Sequence, residues 1–201
     1  NHDLKLTQEY LRSNITETTN ALNFLLNDIQ TISKISNLSI SIKKSLKRGG
    51  KIIFAGNGGS FADAQHLSAE FISKLSDDRS PLASIALGTN SSAITAISND
   101  YGYQNVFARE LEALGQKNDF LIAISTSGNS KNIIELIEKS KLMCIDFSIF
   151  TGSSGGACSK YKDKLIKVSS NKTTIIQQVH ILLGHIICQI SEEPFLVKSS
   201  E

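Results

Sequence analysis

Apolar residues recur at helical spacing from Leu4 to about Leu46, with Ser, Asn and Lys between them. A repeat of three to four residues is typical of amphipathic helices. The pattern predicts two helices, one long and one shorter, before the first strand. The first carries more apolar surface than a short helix needs, Phe24 included. We therefore expect part of it to face another subunit.

After Gly49 and Gly50 the chain changes to short apolar runs that end in clusters of Gly, Ser and Asn. These runs have strand length, and helix-like segments follow most of them. The runs span residues 51–55, 82–87, 120–124, 144–150 and 164–168. The helix-like segments span residues 61–74, 91–99, 104–114, 132–140 and 174–190. This alternation predicts an α/β fold, a three-layer sandwich in which helices flank a parallel five-stranded sheet.

The length of 201 residues suits one α/β domain with a substantial core, and it is short for two. We expect a helical segment over residues 1–48 that belongs to the same domain as residues 49–193, and a short tail over residues 194–201. The 21 basic and 19 acidic residues give a formal net charge of +2. A charge this small favours neither nucleic acid nor a membrane as a partner.

The three cysteines, Cys144, Cys158 and Cys188, have the spacing of neither a disulfide framework nor a zinc knuckle. A reducing compartment fits them best. No run of about 18 apolar residues appears, and the N-terminal residues are polar where a secretory signal would be apolar. We therefore expect a cytoplasmic protein.

Two loops that follow strands are candidates for binding, because ligands of such sheets sit at the carboxyl ends of the strands. Residues 125–130 read Ser-Thr-Ser-Gly-Asn-Ser, and they combine hydroxyls with a helix start. Backbone N–H groups at a helix N-terminus attract anions, so this loop is predicted to bind phosphate. The alternative is a turn whose serines only cap the helix.

The other loop, residues 55–60, reads Ala-Gly-Asn-Gly-Gly-Ser. A dinucleotide fingerprint would need a third glycine where Phe61 stands, and a P-loop would need Gly-Lys-Ser/Thr. Both are absent. The remaining interpretation is a sugar-phosphate pocket shared between two strand ends.

Four polar side chains on two predicted helices could hold a metal or move a proton. His66 and Glu70 are four residues apart and share one helix face. Gln177 and His185 lie about 80° apart on a helical wheel and could converge, whereas His180 lies about 140° from His185 and should have another role. Such a set would suit zinc, although Gln is an uncommon zinc ligand. The alternative for each histidine is a hydrogen-bonded core or interface residue.

Residues 56–66, Gly-Asn-Gly-Gly-Ser-Phe-Ala-Asp-Ala-Gln-His, resemble the opening motif of phosphoheptose isomerases in the sugar isomerase (SIS) domain superfamily. Further segments resemble the same family in order and spacing: residues 86–92, 96–103, 124–130 and 176–188. The resemblance covers about residues 49–192. Two positions depart from the family pattern: Gln178 stands where Glu is usual, and Phe61 where Ala is common.

The resemblance implies a SIS fold and a homotetramer with active sites at subunit interfaces. It implies an aldose–ketose isomerase that converts D-sedoheptulose 7-phosphate into D-glycero-D-manno-heptose 7-phosphate for lipopolysaccharide or capsule, with one zinc ion per subunit. The zinc ligands would be His66, Glu70, Gln177 and His185. The substrate contacts would be Asn57, Gly58, Gly59, Ser60, Glu70, Asn99, Asp100, Ser125, Thr126, Ser127, Ser130 and Gln177.

Isomerisation through an enediol needs a base that moves a proton between adjacent carbons. It also needs a hydrogen-bond donor that stabilises charge on the oxygens. We expect Glu70 to be the base and His185 the acid. The zinc could instead be structural. A different interpretation of the chain is a non-catalytic SIS domain protein that binds the bacterial replication initiator. A third is a regulatory sugar-phosphate sensor, although no DNA-binding segment accompanies the domain.

Overall fold

The computed structural model describes residues 2–196 and contains alternating helices and strands. The helices are α1 His2–Asn27, α2 Ile29–Lys47, α3 Gly59–Ile72, α4 Ser91–Tyr101, α5 Val106–Leu114, α6 Lys131–Leu142 and α7 Thr173–Glu192. The strands are β1 Ile52–Gly56, β2 Ser84–Ala86, β3 Phe120–Ile124, β4 Asp146–Thr151 and β5 Leu165–Lys167. Short 3-10 helices span Tyr103–Asn105, Gly156–Lys164 and Glu193–Phe195. Most of the predicted tail, 194–201, lies outside the described residues, and the predicted division into segments stays a prediction.

The five strands form one parallel sheet in the order β2-β1-β3-β4-β5, which confirms the predicted fold class. In the central pair, Ile52 lies beside Phe120 and Gly56 beside Ile124. Both strands are buried along their whole length, which is why they read as continuous apolar runs. All five strands end at the same edge, so the loops that follow them are neighbours.

Helices cover both faces of the sheet. On one face, apolar side chains of α2, α3 and α7 pack against Phe54 and Ile122. On the other, α5 and α6 pack against Ile53 and Leu121. Helix α7 is long and apolar enough to cross a membrane by length and composition, but its Val179 and Leu183 are buried in the core of this domain. Its apolar composition therefore reflects packing against α3 and the sheet.

The predicted long and shorter N-terminal helices are confirmed, and Asp28 separates them. Its carboxylate accepts hydrogen bonds from the Thr31 backbone N–H at 3.1 Å and from the Thr31 hydroxyl at 2.6 Å, which caps α2. Helix α1 leaves many apolar side chains exposed, among them Leu4, Tyr10, Leu11, Ile15, Phe24 and Leu26. The predicted excess of apolar surface on the first helix is thus present.

Candidate functional site

The loop between β1 and α3 is held by a pair of amides that the sequence did not reveal. The side chains of Asn57 and Asn132 exchange hydrogen bonds of 2.9 and 2.8 Å, and the Tyr103 hydroxyl donates to Asn57 Oδ1 at 3.0 Å. Asn132 is buried at the start of α6. Asn57 therefore joins the loops after two neighbouring strands. Asn57 is among the predicted substrate contacts, whereas Asn132 was missed. Only the position of Asn132 at the start of the helix after residues 125–130 could have drawn attention to it.

The loop between β3 and α6 is backed by the loop after β4. Gly128 has a φ of +66°, and a Cβ there would lie 2.1 Å from the carbonyl oxygen of Gly155. Asn129 Oδ1 accepts a hydrogen bond from the Ala157 N–H at 2.8 Å. Inside the loop, the hydroxyls of Ser125 and Ser130 lie 3.0 Å apart. Close packing against the loop after β4 thus sets the course of the backbone, and the hydroxyls of Ser125 and Ser130 face each other.

A cavity of about 260 Å³ lies between these loops, at the edge where the strands end. Helices α3, α6 and α7 all begin there, so their unpaired N–H groups and positive dipole ends favour an anion. The residues that line it are Asn57, Gly58, Gly59, Ser60, Ile124, Ser125, Thr126, Ser130, Thr173 and Gln177. The predicted pocket between two strand ends therefore exists, and most of the predicted substrate-binding residues line it.

Further along α3 and α7, three of the predicted metal ligands converge. His66 Nε2 lies 3.0 Å from Glu70 Oε1 and 3.1 Å from His185 Nε2. One potential ligand atom from each of the three residues lies within 4.8 Å of the others. Two imidazole nitrogens and one carboxylate oxygen form a donor set that zinc prefers, so these residues fit that ion. We call His66, Glu70 and His185 the polar trio.

Gln177 lies near the start of α7, about two helical turns before His185. Its amide packs against Gly59, where a Cβ would approach Gln177 Nε2 to 2.6 Å. It also lines the cavity between the strand-end loops. Gln177 thus borders the cavity, and its role as a fourth metal ligand stays a prediction.

Asp63 is a neighbour of the polar trio that the sequence reasoning missed. It stands three residues before His66 on α3, and among residues 2–196 no group donates to its buried Oδ2. Burial raises the pKa of this carboxyl, and the charges of His66 and His185 act in the opposite direction. The spacing of three residues from His66 was the signal that could have identified it.

His180 has the separate role that its angle on the helix predicted. The ring is buried, and its Nε2 lies 3.2 Å from the Thr151 carbonyl oxygen. Burial lowers the pKa of His180 to about 4, so the folded protein holds the imidazole neutral at pH 7. Gln178 also lies apart from the polar trio, because it accepts a 2.9 Å hydrogen bond from Thr18 of α1.

Four predicted substrate-binding residues do not line this cavity in the described part of the chain. One is Glu70, which belongs to the polar trio, and the others are Asn99, Asp100 and Ser127. Asn99 and Asp100 are exposed at the end of α4, where the Asn99 amide donates to Asp100 Oδ1 at 2.8 Å. Ser127 is exposed, and its hydroxyl accepts a hydrogen bond from the Asn129 N–H. Phe61 lines a separate cavity of about 140 Å³ with Tyr103. The roles of Asn99, Asp100 and Ser127 stay predictions.

The sequence of this chain is similar to those of known phosphoheptose isomerases. A profile described as SIS domain matches residues 19–145. Phosphoheptose isomerase 2 of Campylobacter jejuni is 51% identical over 174 residues, covering 87% of each chain. Phosphoheptose isomerase of Aneurinibacillus thermoaerophilus is 44% identical over 185 residues, covering 92% of this chain and 93% of the relative.

Solved structures agree with these sequence matches. Phosphoheptose isomerase from Neisseria gonorrhoeae superposes with a TM-score of 0.86 at 35% identity, covering 93% of this chain and 99% of the other. A phosphoheptose isomerase from Francisella tularensis superposes with a TM-score of 0.88 at 30% identity, covering 93% and 98%. The similarity therefore extends over nearly the whole chain in sequence and in structure.

Proposed function

Because this chain belongs to the phosphoheptose isomerase family of SIS domain proteins, we propose that it converts D-sedoheptulose 7-phosphate into D-glycero-D-manno-heptose 7-phosphate. The observation that carries the proposal is a cavity at the start of α3 and α7 with the polar trio further along the same two helices. The product would serve as a precursor of heptose in lipopolysaccharide or capsule. The initiator-binding alternative gains no support from relatives that carry an isomerase name.

The phosphate is proposed to bind at the loop of residues 125–130. The hydroxyls of Ser125, Thr126 and Ser130 line the cavity there, and the first N–H groups of α6 are free to donate. The sugar chain would then run along α3 from Gly59 towards His66. Seven residues of helix correspond to about 10 Å, which suits an extended sugar phosphate.

The proposed chemistry moves one proton between adjacent carbons. The Glu70 carboxylate removes the proton from C1 of the ketose, an enediol forms, and the proton returns to C2 to give the aldose. His185 would donate to the substrate oxygens and transfer the hydroxyl proton from O1 to O2. Support for these roles comes from the 3.0 Å contact between Glu70 and His66 and from the convergence of His185 on the same point.

One zinc ion is proposed to bind His66, Glu70 and His185, with Gln177 as a fourth ligand. When bound, zinc would polarise the oxygens on C1 and C2 of the substrate. Removing the metal and measuring turnover and melting temperature separately tests this role. We expect turnover to be lost and restored by zinc. A lower melting temperature with unchanged specific activity would instead identify a structural ion.

Assembly into a homotetramer with active sites between subunits is also proposed. Beside His185, α7 exposes Leu182, Ile186 and Ile190 at successive helical turns, and α1 adds further exposed apolar side chains. Light scattering during gel filtration should give four times the chain mass of 21.9 kDa. A fully active monomer would contradict the proposal. Residence in the cytoplasm is proposed as well, in keeping with the free thiols of Cys144, Cys158 and Cys188.

The direct test of the reaction is incubation with sedoheptulose 7-phosphate in the presence of zinc. NMR should show the anomeric signals of the aldose product increasing with time. No conversion by folded, zinc-supplemented protein would overturn the proposal. Capture of the replication initiator by protein that lacks isomerase activity would favour the binding-protein alternative.

A further inference from the structure

A buried ion pair joins the ends of the two helices that carry the polar trio. Arg79 follows α3 in the chain, and Glu192 is the last residue of α7. Arg79 Nε lies 2.7 Å from Glu192 Oε2, and both side chains are almost completely buried, with exposed fractions of 1% and 2%. Burying two charges is unfavourable unless each has well-placed hydrogen-bonding partners.

The guanidinium of Arg79 also caps α3. Its Nη2 donates to the carbonyl of Glu70 at 2.8 Å, and its Nη1 donates to the carbonyl of Phe71 at 2.9 Å. These carbonyls belong to the last turn of α3, where helical partners are missing and the dipole is negative. A single side chain therefore contacts the backbone of a polar-trio residue and the final carboxylate of the other helix.

The hydrogen bonds of the pair extend to its surroundings. Ser76 Oγ donates to Glu192 Oε1 at 3.0 Å, so each oxygen of the Glu192 carboxylate has a donor. Glu192 lies at the negative end of the α7 dipole, where a carboxylate is unfavourable, and Arg79 offsets that charge. These hydrogen bonds form only in one relative orientation of the groups, whereas apolar packing has no such requirement.

Between the polar trio and this pair, α3 and α7 touch through apolar groups. A Cβ at Gly184 would lie 2.5 Å from Leu67 Cδ1, so the helices are in close contact beside His185 and His66. This contact limits how near the helices come. It leaves sliding and rotation less restricted, because apolar contacts have little directional preference.

We propose that the Arg79–Glu192 pair positions the polar trio by holding α3 and α7 in register. The proposal rests on the proposed function for its readouts, and it adds two positioning residues that touch neither substrate nor metal. Breaking the pair should change the separation of His185 from His66 and Glu70, and should therefore weaken metal binding and turnover.

The test compares R79K and E192Q with D119N. In R79K, the lysine lacks the planar guanidinium that donates to Glu70, Phe71 and Glu192 together. In E192Q, the glutamine removes the negative charge but keeps nearly the same shape. D119N breaks another ion pair with a buried carboxylate, since Asp119 Oδ2 lies 2.6 Å from Lys51 Nζ and the Asp119 side chain is 1% exposed. Lys51 and Asp119 precede β1 and β3, at the edge of the sheet opposite the cavity.

We expect R79K and E192Q to lower zinc affinity about tenfold, measured by competition with a chromophoric chelator, and to lower kcat with zinc in excess. D119N should lose comparable melting temperature while zinc affinity and kcat stay near wild type. Unchanged zinc affinity and kcat in folded R79K and E192Q would overturn the proposal. If neither variant folds, S76A alters the same pair at an exposed residue and should show a smaller loss in the same direction.

A further readout separates this proposal from the proposed function. The imidazole NMR signals of His66 and His185 report their mutual position without metal or substrate. They should shift in E192Q and remain in place in D119N. Wild-type protein that neither binds zinc nor turns over the heptose phosphate would refute the proposed function, while unshifted imidazole signals in E192Q would refute the positioning role.

Discussion

The cavity at the strand ends and the polar trio are both polar sites on α3 and α7, but they are built differently. The cavity consists of loops in which each strand runs directly into a helix, so short stretches such as residues 57–60 supply neighbouring groups. The polar trio combines α3 with α7, and more than a hundred residues separate Glu70 from His185. Short local loops therefore supply the walls of the cavity, which the parallel sheet brings together, whereas the polar trio depends on how two helices pack.

The largest expected effect is a loss of turnover on changing Glu70 of the polar trio, which leaves the cavity intact. E70Q keeps the shape of the side chain and removes the base, so kcat should fall by about 10³-fold with little change in melting temperature. Steady-state kinetics with sedoheptulose 7-phosphate measure this loss. E110Q is the control, because Glu110 is a buried carboxylate outside the polar trio and accepts a hydrogen bond from the Gly88 N–H. Near-normal turnover in E70Q would remove Glu70 from the role of base.

The next effect concerns the backbone of the cavity. G128A places a Cβ 2.1 Å from the Gly155 carbonyl oxygen at a φ of +66°, so we expect it to lower the free energy of unfolding by about 3 kcal/mol. G49A isolates the conformational part, because Gly49 has a φ of +77° and open space around it. Chemical denaturation measures both. Equal losses in the two variants would show that packing against Gly155 does not define the loop.

His180 is the buried histidine of α7, and its burial should appear in the dependence of stability on pH. The pKa of His180 falls from 6.5 to about 4, so between these values the unfolded chain binds a proton that the folded protein does not. The free energy of unfolding should therefore decrease by about 1.4 kcal/mol for each unit that pH drops within this window, and the contribution is complete above it. Denaturation at several pH values should show a smaller slope in H180Q. V179A removes buried apolar atoms from the same helix but retains the imidazole of His180, so it should lower stability and keep the wild-type slope.

The smallest effect tests the contact between the cavity and α7. A Cβ in G59A would meet the flexible end of Gln177, so the amide should move while the backbone stays in place. We expect about a tenfold loss of kcat/KM with a melting temperature within a degree or two of wild type. Q177A removes the amide, and with it the proposed fourth zinc ligand, so it should lose at least as much kcat/KM as G59A. Wild-type kinetics in G59A would mean that the position of this amide is unimportant.

Much of the fold could be predicted, because each β-strand is a short apolar run and each helix has apolar residues at helical spacing. The predicted strand at residues 120–124 matches β3, whereas the predicted 82–87 shortens to β2, Ser84–Ala86. The 3-10 helix Gly156–Lys164 was missed, since it has no apolar repeat of its own. Among site residues, Asn132 and Asp63 escaped notice because their roles depend on neighbours from other parts of the chain.

By itself, the sequence determined the alternation of strands and helices, the glycine-rich loops, and the shared face of His66 and Glu70. These features depend on interactions between residues close along the chain. Only the tertiary structure decided that His185 meets His66 while His180 is buried against Thr151, and that Arg79 reaches Glu192. The reason is physical: these contacts join distant segments, and their geometry follows from how α3 and α7 pack on the sheet.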